Sequence, residues 1–187
     1  MTKRHLTHKP QKPHGLKPFI NASGIKKIVR SLGRRIKKDY SGRRPVFVGV
    51  LRGSFMFTAD MAREVGGFAE IAFISISCYG KNNKPLKKAR VKSAVGLDIR
   101  GRDVIVVEDI LDRGVTIKAL LAFIKSKNPA SISVCALFVR SGRPAYKPRY
   151  IGKTIGKGFV VGYGMDYKDD FRCLPEIYVL KGASPYE

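Results

Sequence analysis

VIVVEDILDRGVT, residues 104–116, reads as a strand that hands over to a helix, and the rest of the chain falls into place around it. Val104 to Val107 form an apolar run of the kind buried in parallel sheets. Glu108 and Asp109 are expected to end the strand, with Asp112 close behind. Gly114 opens a turn, and Thr116 stands where a helix N-cap belongs, ahead of Ile117, Leu120, Leu121 and Ile124 at helical spacing. A strand that delivers acids and a hydroxyl to a helix start makes a phosphate-and-cation site. Helix-start and turn amides attract phosphate. The carboxylates can order ribose hydroxyls, hold a hydrated Mg²⁺ or take a proton. An acid pair alone would mark only a solvated strand end; the full string in register is more specific.

Strands and helices alternate on both sides of this segment. A helix is expected over residues 24–38, capped by Ser23, with Ile25, Ile28, Val29, Leu32 and Ile36 on one face. Strands follow at Val46–Leu51, Ala69–Ser77, Ile132–Val139, Phe159–Gly162 and Ile177–Leu180, with a helix over Ser54–Glu64. Lys81–Lys92 reads as a basic loop or hairpin. This order predicts an α/β domain over residues 21–187 with a mainly parallel sheet. Residues 1–20, with Pro10, Pro13 and Pro18, read as a flexible basic arm.

The chain has 187 residues, 44% of them hydrophobic, enough for one core. No apolar run suits a membrane span and no secretory signal is visible, so no membrane partner is expected. Cys78, Cys135 and Cys173 lack metal-ligand spacing and read as reduced thiols of a cytosol-like compartment, the cytoplasm or an organellar matrix. His5, His8 and His14 all lie in the arm, which excludes a histidine base in the core. The charge is the anomaly: 37 basic against 14 acidic residues give +23. Residues 1–38 contain no acid, and further basic runs lie at 81–92 and 140–157. Polyanion binding, RNA above all, would account for such an excess.

From about Ile25 to Leu180 the chain resembles the hypoxanthine-guanine phosphoribosyltransferases, a branch of the type I phosphoribosyltransferases. LRGS at Leu51–Ser54, SCYG at Ser77–Gly80, EDILDRGVT at Glu108–Thr116 and FVVGYGMDYKDDFRCLPEI at Phe159–Ile177 carry the match, with YKPRYIG at Tyr146–Gly152 beside them. The resemblance implies a Rossmann-like, mainly parallel sheet flanked by helices, under a small hood built from the two chain ends. It also implies Mg²⁺, 5-phosphoribosyl-1-diphosphate and a 6-oxopurine base, giving a nucleotide and pyrophosphate. A homo-oligomer is expected.

Carried over position by position, the resemblance gives Leu51, Arg52 and Gly53 to pyrophosphate, through a loop that in the family often holds a cis peptide, here Leu51–Arg52. Glu108 and Asp109 would hold the ribose hydroxyls, directly or through Mg²⁺, and Asp112 would be the base near purine N7. Asp112, Arg113, Gly114, Val115 and Thr116 would cradle the 5′-phosphate. Phe159 would stack on the purine, Val160 would pair with its edge through backbone, and Asp166 would face a second metal. Arg172 would grip pyrophosphate with its planar fork.

Three positions depart from the family. Its Ser-Tyr pair on the closing loop is Cys78–Tyr79 here, Arg113 stands where Thr is usual, and Arg140 takes the place of the purine-reading lysine. These departures and the basic runs support a rival reading, an RNA-binding ribonucleoprotein component with a vestigial site. The acids support the enzyme, because an RNA binder gains nothing from carboxylates beside a phosphate site. A third reading keeps catalysis and adds RNA regulation.

Overall fold

The fold is given by a computed structural model that describes residues 15–67, 69–79, 85–112, 114–142 and 146–183. Its centre is a six-stranded sheet. β2 (Val46–Leu51), β3 (Glu70–Tyr79), β5 (Asp103–Leu111), β6 (Ser131–Arg140) and β7 (Tyr150–Ile155) run parallel, and β4 (Pro85–Val95) pairs antiparallel with β3. The order is β4-β3-β2-β5-β6-β7, which sets β5 beside β2 and β6 in the middle. Val104 to Val107 are fully buried there, as two covered faces require. One face carries α1 (Ala22–Asp39) and α2 (Phe55–Val65), with Leu32, Ile36, Phe47, Phe57 and Met61 in the seam. α3 (Val115–Lys125) covers the other, through Ile117, Leu120 and Ile124 against Val48, Val106 and Val134.

A second sheet joins the chain ends. β1 (Leu16–Ile20) and β8 (Phe159–Val161) flank β9 (Ile177–Leu180), all antiparallel. This is the hood. The expected arm over residues 1–20 is corrected at its inner end: Leu16–Ile20 form a hood strand, and residues 1–14 lie outside the described residues. Deleting residues 1–20 would therefore remove a strand, not only a tail.

Other boundaries move for local reasons. Asn21, not Ser23, caps α1, its side-chain oxygen accepting from the Gly24 amide at 2.9 Å. β5 does not end at Glu108 and Asp109 but runs on to Leu111, Glu108 pairing in register with Ala136. Thr116 is not a cap: α3 starts one residue earlier, after Gly114 at φ 78°. Only a residue without Cβ takes that left-handed turn at no cost. β7 was not anticipated as a strand. The expected basic loop or hairpin is a hairpin arm from Pro85 onward, and Lys81–Lys84 lie outside the described residues. Among the described residues, no helix is long and apolar enough to cross a membrane.

Candidate active site

Parallel strands end at one edge of the sheet, and there the loop after β2 and the ends of β5 and β6 meet the hood. A cavity of about 250 Å³ opens at that meeting point. It is lined by Asp109, Ile110 and Asp112 from β5 and its exit, Arg140 from β6, Phe159 and Val160 from β8, and Met165 and Asp166 from the hood loop. Six of these positions were named from sequence: Asp109, Asp112, Arg140, Phe159, Val160 and Asp166. They lie far apart in the chain, and the topology brings them together.

The acids differ in setting. Glu108 is buried, only 8% exposed. Burial first, and then the adjacent Asp109 charge, push its carboxyl well above the usual carboxylate range. Asp109 accepts from the Ile110 amide at 2.9 Å and faces the loop after β2. A Cβ added to Gly53 would collide with Asp109 Oδ2. Gly53 is therefore what lets that loop close onto the acid. Leu51 ends β2 and its peptide bond to Arg52 is cis.

Arg140 Nη1 donates to the Gly156 carbonyl at 2.8 Å, and Nε lies 3.5 Å from Asp112 Oδ2. That Nε is buried and has no hydrogen-bond acceptor. A guanidinium only 11% exposed is thus set beside Asp112 in the cavity wall, with its Nε shielded from solvent. Phe159 meets Tyr167 edge-on, ring centroids 5.5 Å apart, so its position is fixed by the hood loop.

The hood loop is held by charge. Arg172 Nη2 lies 2.7 Å from Asp166 Oδ1 and 3.1 Å from Asp169 Oδ1, and its Nη1 donates to the Gly164 carbonyl at 3.0 Å. The Asp169 amide donates to Asp166 Oδ2 at 2.8 Å, and Asp169 also pairs with Arg52. The Arg172 hydrogen bond, with the Arg52 charge, holds the Asp169 carboxyl below its ordinary range. Lys168, Asp169 and Phe171 all take positive φ, 53°, 68° and 73°, which marks a tightly wound loop. Asp169 was missed from sequence. Its signal was an acid three residues before Arg172.

Several named positions surround the cavity without lining it. Arg52 and Arg172 reach it through Asp169 and Asp166, and Glu108 lies under the Asp109 backbone. Gly114, Val115 and Thr116 form the start of α3, whose first turn has no side-chain cap and no acid. Tyr79 closes β3, but its side chain and that of Cys78 lie outside what is described, as does Arg113 altogether.

Residues 20–168 match the phosphoribosyl transferase domain family. The hypoxanthine phosphoribosyltransferase of Escherichia coli K12 is 39% identical over 168 residues, covering 88% of this chain and 94% of its own. The hypoxanthine-guanine phosphoribosyltransferase of Streptococcus pneumoniae R6 is 36% identical over 167 residues, covering 88% and 93%. A crystal structure of the Staphylococcus aureus hypoxanthine phosphoribosyltransferase superposes with a TM-score of 0.82 at 32% identity, covering 89% of this chain and 92% of that one. Acid-bearing strand, hood, sequence and superposition agree: the chain belongs to the hypoxanthine phosphoribosyltransferase family of phosphoribosyltransferases.

Proposed function

We propose that the protein transfers the phosphoribosyl group of 5-phosphoribosyl-1-diphosphate to a 6-oxopurine, a purine-salvage reaction that yields a nucleotide and pyrophosphate. The observation that carries this reading is the cavity itself, which Phe159, Arg140 and three carboxylates, Asp109, Asp112 and Asp166, line together. Phe159 stacks on the purine ring and the Val160 backbone pairs with its edge. Arg140 donates to the 6-oxo oxygen, and Asp112 takes the proton at N7.

The reaction is a displacement at the anomeric carbon through an oxocarbenium-like state. Glu108 and Asp109 orient the ribose by its hydroxyls, and the Asp112–Thr116 turn at the start of α3 receives the 5′-phosphate. Gly114 and Val115 serve that group from the helix start, and Arg113 is assigned to it from the sequence alone. Leu51, Arg52 and Gly53 present backbone to the pyrophosphate, and Arg172 offers its fork to the same group. Tyr79, the last residue of β3, stands where the family helps keep out water, which would otherwise hydrolyse the sugar diphosphate.

The donor set fits Mg²⁺ in its usual manner of binding. That ion takes one or two carboxylates, keeps waters and completes its shell with substrate phosphates. Among the described residues no three acids, histidines or cysteines cage a metal on their own. The adjacent Glu108 and Asp109 carboxyls, the first pushed toward protonation by burial and then by its neighbour's charge, fit a cation brought in by substrate. Glu108 and Asp109 would hold one ion and Asp166 a second; when bound, the metal offsets charge on the departing pyrophosphate.

The rival, an RNA-binding protein with a vestigial site, is not favoured, because named transferases match over 88% of the chain. Homo-oligomeric assembly belongs to the same family reading, and sedimentation would check it. The direct test is to incubate the protein with the sugar diphosphate, Mg²⁺ and hypoxanthine. Inosine 5′-monophosphate and pyrophosphate should form in equal amounts; formation of neither would overturn the proposal.

A further inference from the structure

The transferase site uses few of the chain's cations, and the largest group it leaves unexplained lies on α1. Every exposed position from residue 26 to 38 is lysine or arginine except Ser31. Lys27, Arg30, Arg34 and Lys38 recur at three- or four-residue intervals and so form one row along the helix. The helix spans 18 residues, about 27 Å at its normal rise. None of these four forms an ion pair or side-chain hydrogen bond with another described residue. None lines the catalytic cavity.

Ordinary roles account for part of the pattern only. Lys37 and Lys38 suit the negative end of the helix. Arg35 is docked on the Arg149 carbonyl at 3.1 Å. The one acid of α1, Asp39, is occupied by Arg149 and the Tyr150 hydroxyl at 2.8 and 2.7 Å. Lys27 and Arg30, the sixth and ninth residues of the helix, lie too far from its negative end to serve there. Like charges one turn apart also repel. A row that costs the fold stability calls for an anionic partner outside the molecule.

We propose that the outer face of α1 is a binding surface for the phosphate backbone of a double-helical nucleic acid. A row of cations about 5–6 Å apart on a straight rod presents charges to successive phosphates. Among the described residues the one exposed aromatic, Phe19, belongs to hood strand β1, so this face offers no platform for stacking unpaired bases. It contacts backbone and reads no sequence. The proposal stands apart from the transferase reading and does not depend on it.

The test is a titration of the full chain with a fluorescent 20-base-pair RNA duplex and the matching DNA duplex, at several salt concentrations. Wild type should bind both, with log affinity falling linearly against log salt. The triple variant R30Q/R34Q/K38Q should lose on the order of tenfold in affinity, its salt slope shrinking by about 0.9 for each phosphate it no longer neutralises. A control, R100Q/K125Q/K127Q, removes three exposed cations near the end of α3 and should bind as wild type does. Lysine-acetylation footprinting of the wild-type complex should show protection at Lys27 and Lys38, which needs no variant to fold. Equal losses in both variants would reduce the effect to net charge and overturn the proposal. So would absence of duplex binding at moderate salt, absence of the footprint, or equally tight binding of polyglutamate.

Discussion

Arg172 in the cleft touches two carboxylates and a carbonyl, whereas Arg34 on the outer face of α1 touches no acid among the described residues. Arg140 is likewise set beside Asp112, inside a wall that leaves it 11% exposed. In the cleft, then, cations are held in fixed directions by acids that balance them, and position carries the chemistry. In the outer row of α1 the cations lack such partners among the described residues and act as a field. The same two residue types serve geometry in one place and charge density in the other. Substitutions that remove one charge should therefore have sharp effects in the cleft and graded, salt-dependent effects on α1.

The sharpest break is expected at Asp112. Asp112→Asn keeps the shape and removes the base, so turnover should fall ~10²–10⁴-fold while calorimetry shows sugar-diphosphate binding nearly unchanged. A variant that turns over like wild type would place the cleft acids outside the reaction. Arg172→Gln should come next. Losing charged hydrogen bonds of ~1.5–3 kcal/mol should raise the KM for the sugar diphosphate about 10- to 100-fold, and an unchanged KM would remove Arg172 from pyrophosphate binding.

Gly53→Ala probes the close approach of the loop after β2. Its new Cβ would fall on Asp109 Oδ2, and displacing that acid should cost ~1–3 kcal/mol in a denaturant melt together with activity. The smallest effect is expected away from the cleft, at the α1 end. Tyr150→Phe removes the hydrogen bond to Asp39 and should cost ~0.5–1.5 kcal/mol without touching turnover. That bond, with Arg149, holds the Asp39 carboxyl below its ordinary range. A depressed carboxyl adds stability above its unfolded value of about 3.9 and loses it as pH falls through the lower folded value. The gap between wild type and variant should thus be full near neutrality and close below about pH 4.

The central sheet was legible because burial on both faces writes itself as apolar runs, at Val46–Leu51, Val104–Val107 and Ile132–Val139. β7 was not. Tyr150–Ile155 is an edge strand with Lys153 and Thr154 exposed, so only its ends look like core. β1 was hidden in the same way: LKPFI carries a proline and a lysine and becomes a strand only by pairing with β9, more than 150 residues away. For the site, the acid-rich string at 108–116 named its own chemistry. Nothing local could pair Arg140 with Asp112, or show that Asp169 ties Arg52 to Arg172. Those pairings exist only once β6, the hood loop and the loop after β2 converge. Even the α1 cap turned on a tertiary choice, with the Ala22 amide next to Asn21 directed at Glu176 of the hood.

The central claim is that this cleft holds a 6-oxopurine, and offering four bases side by side tests it most directly. With the sugar diphosphate and Mg²⁺ in excess, hypoxanthine, guanine, xanthine and adenine should be compared by kcat/KM. Arg140 can only donate toward the 6-position, whereas adenine presents an amino group there, so adenine should be rejected by on the order of 10⁴-fold relative to the best 6-oxopurine. Adenine as the preferred substrate, or no discrimination among the four, would contradict the account.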